Sequence, residues 1–162
     1  MIRPTMLGDV ELLVALAADT GIFKLFEIEA LREVFNDYFA GYQAVGHRCI
    51  TLDEHNRLLG FAYFAPAAMT VGTWYLWWIV VAKDHQRRGL GGMLLRYVED
   101  EARGAQARHL LIETSSLPHY EPTRRFYELH GYTQVARIPD YYAEGDSLIL
   151  YRKVLRGAGP KL

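Results

Sequence analysis

Seven consecutive residues, Gln86-Arg87-Arg88-Gly89-Leu90-Gly91-Gly92, combine two guanidinium groups with three glycines, a combination suited to binding a phosphate-type anion. Glycine lets a backbone approach an anion closely, because no Cβ covers the amides and unusual dihedrals carry little penalty. A helix opening at Leu90 adds unpaired N–H groups and the positive end of its dipole, while Arg87 and Arg88 add full charges. The stretch reads as a pyrophosphate cradle between an apolar run that ends at Val81 and an amphipathic run that begins at Leu90. Glu113 is the second residue with chemical promise. It is a carboxylate within the otherwise apolar Leu110-Leu111-Ile112-Glu113-Thr114-Ser115, where burial raises a carboxyl pKa toward the range of a general base. A buried ion pair with an arginine, or a hydrogen bond that shapes the strand, accounts for the placement equally well.

Other chemistries find little support. The dinucleotide pattern G-x-G-x-x-G is absent, since Gly89 and Gly91 are followed by Leu94, and no Gly-Lys-Ser or Gly-Lys-Thr occurs. Cys49 lies in a β-rich run without a neighbouring base, so an inert buried thiol outweighs an acyl-accepting nucleophile. The histidines show no paired spacing of the H-x-x-x-H kind, and Ser115-Ser116 lack a G-x-S-x-G elbow, so no metal and no serine nucleophile is expected.

The elements that must position these residues follow from periodicity. Ile2-Arg3-Pro4 suits a short edge strand, and Asp9 sits where an N-cap opens a helix through Ala18. Ile28, Leu31, Phe35, Tyr38, Phe39 and Tyr42 recur at helical spacing, with Gly41 and Gly46 as stop signals. Arg48 to Leu52 and Leu58 to Phe64 form a hairpin across Asp53–Arg57. Trp74 to Val81, apolar on both alternating faces, reads as a central strand covered on both sides. A helix from Leu90 to about Gly104, a strand from His109 to Thr114, a helix from Thr123 to His130 closed by Gly131, and strands Tyr132 to Ile138 and Leu148 to Val154 complete the order. The crossover through the Leu90 helix places the Trp74 and His109 strands side by side and parallel, with the glycine turn at the carboxyl end of the first.

The chain has 162 residues, 51% of them hydrophobic, and suits one α/β domain over 1–155 with a C-terminal tail over 156–162 that looks disordered from Gly157. A formal charge of −1 without long runs of one sign lacks the footprint of a nucleic-acid binder, so no nucleic-acid partner is expected. A single cysteine fits a reducing compartment, and no stretch nears the ~20 apolar residues of a membrane span or the pattern of a signal peptide. A cytoplasmic protein without a membrane partner is the expectation.

With these residues in place, the chain resembles the GNAT acetyltransferase superfamily over roughly Ile2 to Leu155. The family's cofactor signature, Q/R-x-x-G-x-G/A, is matched by Gln86, Gly89 and Gly91 after the apolar Trp78-Ile79-Val80-Val81. A second family landmark, F-Y-E followed by G-Y, is present as Phe126-Tyr127-Glu128-Leu129-His130-Gly131-Tyr132. The resemblance implies a GNAT-like mixed, mostly antiparallel sheet with one parallel strand pair, flanked by helices. It implies acetyl-CoA as cosubstrate, with its pyrophosphate on the amides of Arg87, Arg88, Gly89, Leu90, Gly91 and Gly92. Its pantetheine arm would pair like an extra strand with the backbone of Ile79, Val80 and Val81.

The same resemblance makes Tyr127 the general acid that protonates the departing thiolate; an amphipathic core residue is the competing description. Two departures matter. Many family members carry an acidic residue on the strand before the cradle, where Tyr75, Leu76, Trp77 and Trp78 stand here, so Glu113, a water chain to it, or bulk solvent must take the amine proton. The family's frequent Asn seven residues before the acid tyrosine is Tyr120, beside His119, and for both a plain loop role is the stronger reading. Ile138 to Asp146 resembles the loop that walls the acceptor pocket, which makes Tyr141 and Tyr142 acceptor-binding candidates beside Trp77; packing over the helix near Tyr38 or core filling competes. The expected activity is transfer of acetyl from acetyl-CoA to a primary amine, small-molecule or protein, by direct attack in a ternary complex. The alternative is a non-catalytic acyl-CoA-binding or regulatory module. Homodimers are common in the family and are an option here.

Overall fold

A computed structural model describes residues 1–156, so the tail from Gly157 lies outside the described residues. Seven strands, β1 Ile2–Pro4, β2 Arg48–Glu54, β3 Arg57–Pro66, β4 Thr73–Val81, β5 His109–Ser115, β6 Thr133–Ala143 and β7 Asp146–Val154, form one sheet in the order β1-β2-β3-β4-β5-β7-β6. Four helices flank it: α1 Val10–Asp19, α2 Leu25–Ala40, α3 Leu90–Gly104 and α4 Glu121–Leu129. β4 and β5 are parallel, with Thr73 opposite His109 and Tyr75 opposite Leu111. The pairs β1–β2, β2–β3, β5–β7 and β6–β7 are antiparallel. This is the mixed α/β arrangement expected of the sequence, with the short N-terminal strand at an edge.

The chain divides into two compact units, Met1–Ala65 with Trp77–Val98, and Pro66–Leu76 with the residues from Glu99 onward. In the first, α1 and α2 bury Leu13, Ala17, Leu31 and Phe35 against Cys49, Phe61, Tyr63 and Val80. The β2–β3 connection is tighter than expected, a two-residue turn in which His55 and Asn56 both have positive φ, 53° and 64°. Such turns match the twist of a hairpin. Gly60 on β3 is fixed by close approach, since a Cβ there would lie 2.6 Å from the Val80 carbonyl oxygen. Asp9 precedes α1 as expected, yet its carboxylate does not cap that helix. It instead accepts the Met6 N–H at 2.8 Å and both Arg3 guanidinium nitrogens at 2.8 and 3.1 Å. The buried ion pair, which holds the Asp9 carboxyl below its ordinary value, outcompetes the cap because a full cation is the stronger donor.

In the second unit, α4 packs Tyr127 against Tyr151 of β7, whose cross-strand partner is Ile112 of β5. The last two strands are longer than periodicity suggests. β6 continues past Ile138 through Pro139 to Ala143 with an irregular register, and a turn at Glu144 and Gly145 leads into β7. The segment expected to be an open loop is thus mostly strand, because pairing with β7 resumes at Ala143 opposite Asp146 and carries the intervening residues.

β4 also corrects an expectation. Trp74, Leu76 and Val80 are buried, whereas Tyr75, Ile79 and Val81 are half-buried and Trp77 is 46% exposed. Only one face of the strand is closed. Apolar residues on the other face do not require a cover of equal extent, as large apolar side chains are often left partly in solvent.

Candidate functional site

The cradle leaves β4 at Val81, passes a short 3-10 turn at Lys83–His85 and enters α3 at Leu90. Gln86 anchors its start by donating its side-chain amide to the Val81 carbonyl at 3.2 Å. Positive φ falls on Arg87, 64°, and Gly89, 78°. Residues in the left-handed region two positions apart curl the backbone so that successive N–H groups converge on a concavity, a geometry suited to anions. Gly91 and Gly92 have no positive φ, because they already belong to the first turn of α3. Their contribution is different. The first helical bond runs from Met93 N–H to the Gly89 carbonyl at 3.1 Å, so the amides of Leu90, Gly91 and Gly92 precede the helical ladder. Arg87, Arg88 and Gly89 are exposed, and a Cβ at Gly89 would meet nothing within 4 Å.

The β4 backbone beside the cradle has a defined polarity. The Val80 carbonyl points to β3, where Gly60 makes room for it. Strand alternation therefore turns the N–H and C=O groups of Ile79 and Val81 to the other edge. At that edge the Val81 carbonyl already holds Gln86. Val80 and Trp78 pack into the cluster under α1 and α2, with Trp78 5.3 Å from Phe23, so Trp77 projects from the opposite face of the strand.

In the second unit, Glu113 projects from the face of β5 opposite Ile112. Burial alone raises its carboxyl above the ordinary value, with no arginine offsetting it, so the ion-pair account is not met. Burial also raises the phenols of Tyr75 and Tyr142, and the Glu113 charge adds to both. Tyr141 and Tyr142 meet edge to face at 5.0 Å and are 54% and 44% exposed. Asp146, only 5% exposed, accepts a hydrogen bond from Ser115 and also bears on the Tyr142 phenol. Glu113, Tyr141 and Tyr142 are thus brought together, and Tyr75 and Asp146 join them. Reading the sequence alone passes over the last two. Tyr75 carries a faint signal, two positions before Trp77 on an alternating strand, while nothing local marks Asp146 as buried.

Tyr127 lies elsewhere in this unit. It sits in the last turn of α4 with 5% exposure, and its ring meets those of Tyr132 and Tyr151, each at 6.0 Å. Because Tyr151 shares a face with Ile112, Tyr127 and Glu113 occupy opposite faces of the sheet. Burial raises the Tyr127 phenol, so it is protonated at neutral pH, and no hydrogen bond among the described residues engages it. His119 and Tyr120 form the 3-10 turn before α4.

Cys49 is 2% exposed, receives a hydrogen bond from the Thr5 hydroxyl at 3.2 Å, and has its thiol pushed up to about 12 by burial. A thiol so protonated makes no nucleophile. Among the described residues no three His, Cys, Asp or Glu side chains form a group able to hold a metal ion. No helix among them is long and apolar enough to cross a membrane.

Comparison with known proteins gives these sites a context. The acetyltransferase (GNAT) family matches residues 15–132 of the chain. The crystal structure of a GNAT-family protein from Desulfovibrio desulfuricans is 32% identical, with a TM-score of 0.91 over 96% of this chain and 99% of that one. The structure of yncA from Salmonella typhimurium with its cofactor acetyl-CoA has a TM-score of 0.75 at 18% identity, over 99% of this chain and 97% of that one, a likeness of fold. An uncharacterised N-acetyltransferase of Bacillus subtilis, YsnE, is 29% identical over 71 residues, 44% of this chain and 47% of its own length. The match therefore spans about half of that curated relative.

Proposed function

The chain belongs to the GNAT acetyltransferase family, and on that premise we propose that it transfers acetyl from acetyl-CoA to a primary amine by direct attack in a ternary complex. The observation that carries this reading is the cradle, where two left-handed residues at Arg87 and Gly89 precede three amides outside the helical ladder of α3. That arrangement fits the pyrophosphate of acetyl-CoA, with Arg87 and Arg88 as counter-charges. The edge of β4 away from β3 at Ile79 and Val81, where Gln86 holds only the Val81 carbonyl, suits an extended arm that adds like a strand, with Val80 facing the other way. Bound acetyl-CoA supplies an activated acyl thioester.

The remaining chemistry falls to the chain. The attacking amine must be neutral, and Glu113, its carboxyl raised by burial, takes its proton directly or through water. Tyr127, whose protonated phenol makes no hydrogen bond with the described residues, gives a proton to the departing sulfur. Trp77, Tyr141 and Tyr142, all substantially exposed, hold the acceptor. The aromatic surface of Tyr141 and Tyr142, with the Glu113 charge bearing on Tyr142, favours an acceptor that arrives as a cation, whether a small molecule or a protein amine. A buried reduced thiol and this cosubstrate are consistent with work in the cytoplasm.

A second reading, a non-catalytic acyl-CoA-binding or regulatory module, draws on the lack of any carboxylate in β4 from Thr73 to Val81. One experiment separates the two. Thiol release from acetyl-CoA is followed against a panel of amines while the melting temperature is measured with acetyl-CoA alone. Turnover with at least one amine supports the enzyme; a raised melting temperature without turnover supports the binder; no shift at acetyl-CoA far above micromolar levels removes both.

A further inference from the structure

Tyr127 is the buried residue of the nine-residue helix α4 and is engaged through both its backbone and its ring. Its carbonyl accepts the N–H groups of His130 and Tyr132, each at 3.0 Å, across a turn that Gly131 makes at φ 89°. Its ring centroid lies 6.0 Å from those of both Tyr132 and Tyr151. Both neighbours are tethered through their hydroxyls to carboxylates, Tyr132 to Glu99 at 3.0 Å and Tyr151 to Glu128 at 2.9 Å.

The Glu99 tether is the unusual one. Glu99 stands on α3 and is 4% exposed. Lys153 of β7 bridges both its oxygens, at 2.9 and 3.1 Å, and gives a further hydrogen bond to the His130 carbonyl at 3.0 Å, placing a cation at the carboxyl end of α4. The same ammonium lies 5.5 Å from the Tyr132 ring centroid. A buried pair of this kind is poor ground for stability, because desolvation offsets most of the attraction. What it does supply is direction. Glu99 accepts from Tyr132 and Lys153 together, with Arg103 4.0 Å away, and the axis of the Tyr132 ring can swing to a new position only by breaking its bond to that carboxylate.

We propose that Glu99 and Lys153 are positioning residues for the proton donor: they fix Tyr132, and through its ring the orientation of the Tyr127 phenol. The inference rests on Tyr127 as the general acid. It predicts coupling between two tyrosines, which a merely structural role for Tyr132 does not.

The test is a double-mutant cycle in steady-state kinetics. Tyr132→Phe keeps the ring and deletes only the hydroxyl bound to Glu99. We expect kcat to fall roughly tenfold, with KM for acetyl-CoA changed by less than about twofold. In the Tyr127→Phe background, adding Tyr132→Phe should leave the residual kcat within about twofold, because the group being oriented is gone. An equal loss in both backgrounds, or an unchanged kcat in Tyr132→Phe, overturns the positioning role while the general-acid reading stands. An unchanged kcat in Tyr127→Phe alone overturns the general acid, and the positioning role with it. Glu99→Gln, checked for folding by its melting temperature, should follow Tyr132→Phe; if it does not fold, the tyrosine cycle decides.

Discussion

Tyr127 and Glu113 stand on opposite faces of the β5–β7 strand pair, the first against Tyr151 and the second on the far side of β5 from Ile112. The two groups proposed to move protons therefore work in separate surroundings, one closed by aromatic rings and the other beside exposed tyrosines. Such separation lets each keep its own protonation state, a raised carboxyl on one face and a fully protonated phenol on the other.

Tyr127→Phe removes the proposed proton donor without changing the ring. The expected outcome is a loss of about 10²–10⁴ in kcat with little change in acetyl-CoA affinity. Turnover at saturating acceptor and a thermal shift with acetyl-CoA, measured on the same preparation, check it.

Glu113 is raised by burial, so its carboxylate form appears at higher pH than for an ordinary glutamate. Activity that needs the carboxylate should rise with pH through that raised value. In a profile of kcat/KM for the acceptor at saturating acetyl-CoA, Glu113→Gln should lose this limb together with most of the rate. A variant that retains the limb assigns the proton acceptor to another group.

Gly89 has φ 78° in open space, so an added methyl meets no neighbour and only the backbone objects. Gly89→Ala should lower stability by about 1 kcal/mol and raise the KM for acetyl-CoA more than it alters kcat. A denaturant midpoint and the two kinetic constants separate these effects.

His109 is neutral in the fold. Arg152 donates to its Nδ1 at 2.9 Å, so its other nitrogen carries the hydrogen and donates to the Thr73 hydroxyl at 2.6 Å. Burial first, then the Arg152 and Arg108 charges, lower its pKa. A lowered histidine pKa means the unfolded chain binds the proton more readily. Stability should be level above the unfolded value of about 6.5, fall as pH drops through it, and level again below the folded value. His47, lowered by burial, contributes in the same direction. Urea midpoints between pH 8 and 5 for the wild type and His109→Gln check this, the variant showing the smaller decline.

Much of the cradle was legible in the sequence, because its determinants are local. The start of α3 at Leu90 is where periodicity begins, and the glycine that takes a positive φ is one of the three in the motif. The left-handed conformation of Arg87 was not legible, since no side chain signals it and the surrounding turn imposes it. Asp9 shows the complementary case. Its position before a helix was readable, whereas its pairing with Arg3 was not, since it depends on how the chain turns from β1 into α1, and the Arg3 contact with Asp53 depends on β1 lying beside β2.

By itself the sequence determined the order of strands and helices, the glycine-rich turn into α3, the tyrosine on the short helix and a buried Cys49. Each of these rests on spacing within a single element, where dihedral preference and alternation act over a few residues. Only the tertiary structure decided that the Glu113 charge bears on the phenols of Tyr75 and Tyr142, that Tyr127 lies on the opposite face of the β5–β7 pair from Glu113, and that Glu99 meets Lys153 across 54 residues of chain. Those relationships depend on which strands pair and in what register, and a shift of one residue would send every side chain to the opposite face.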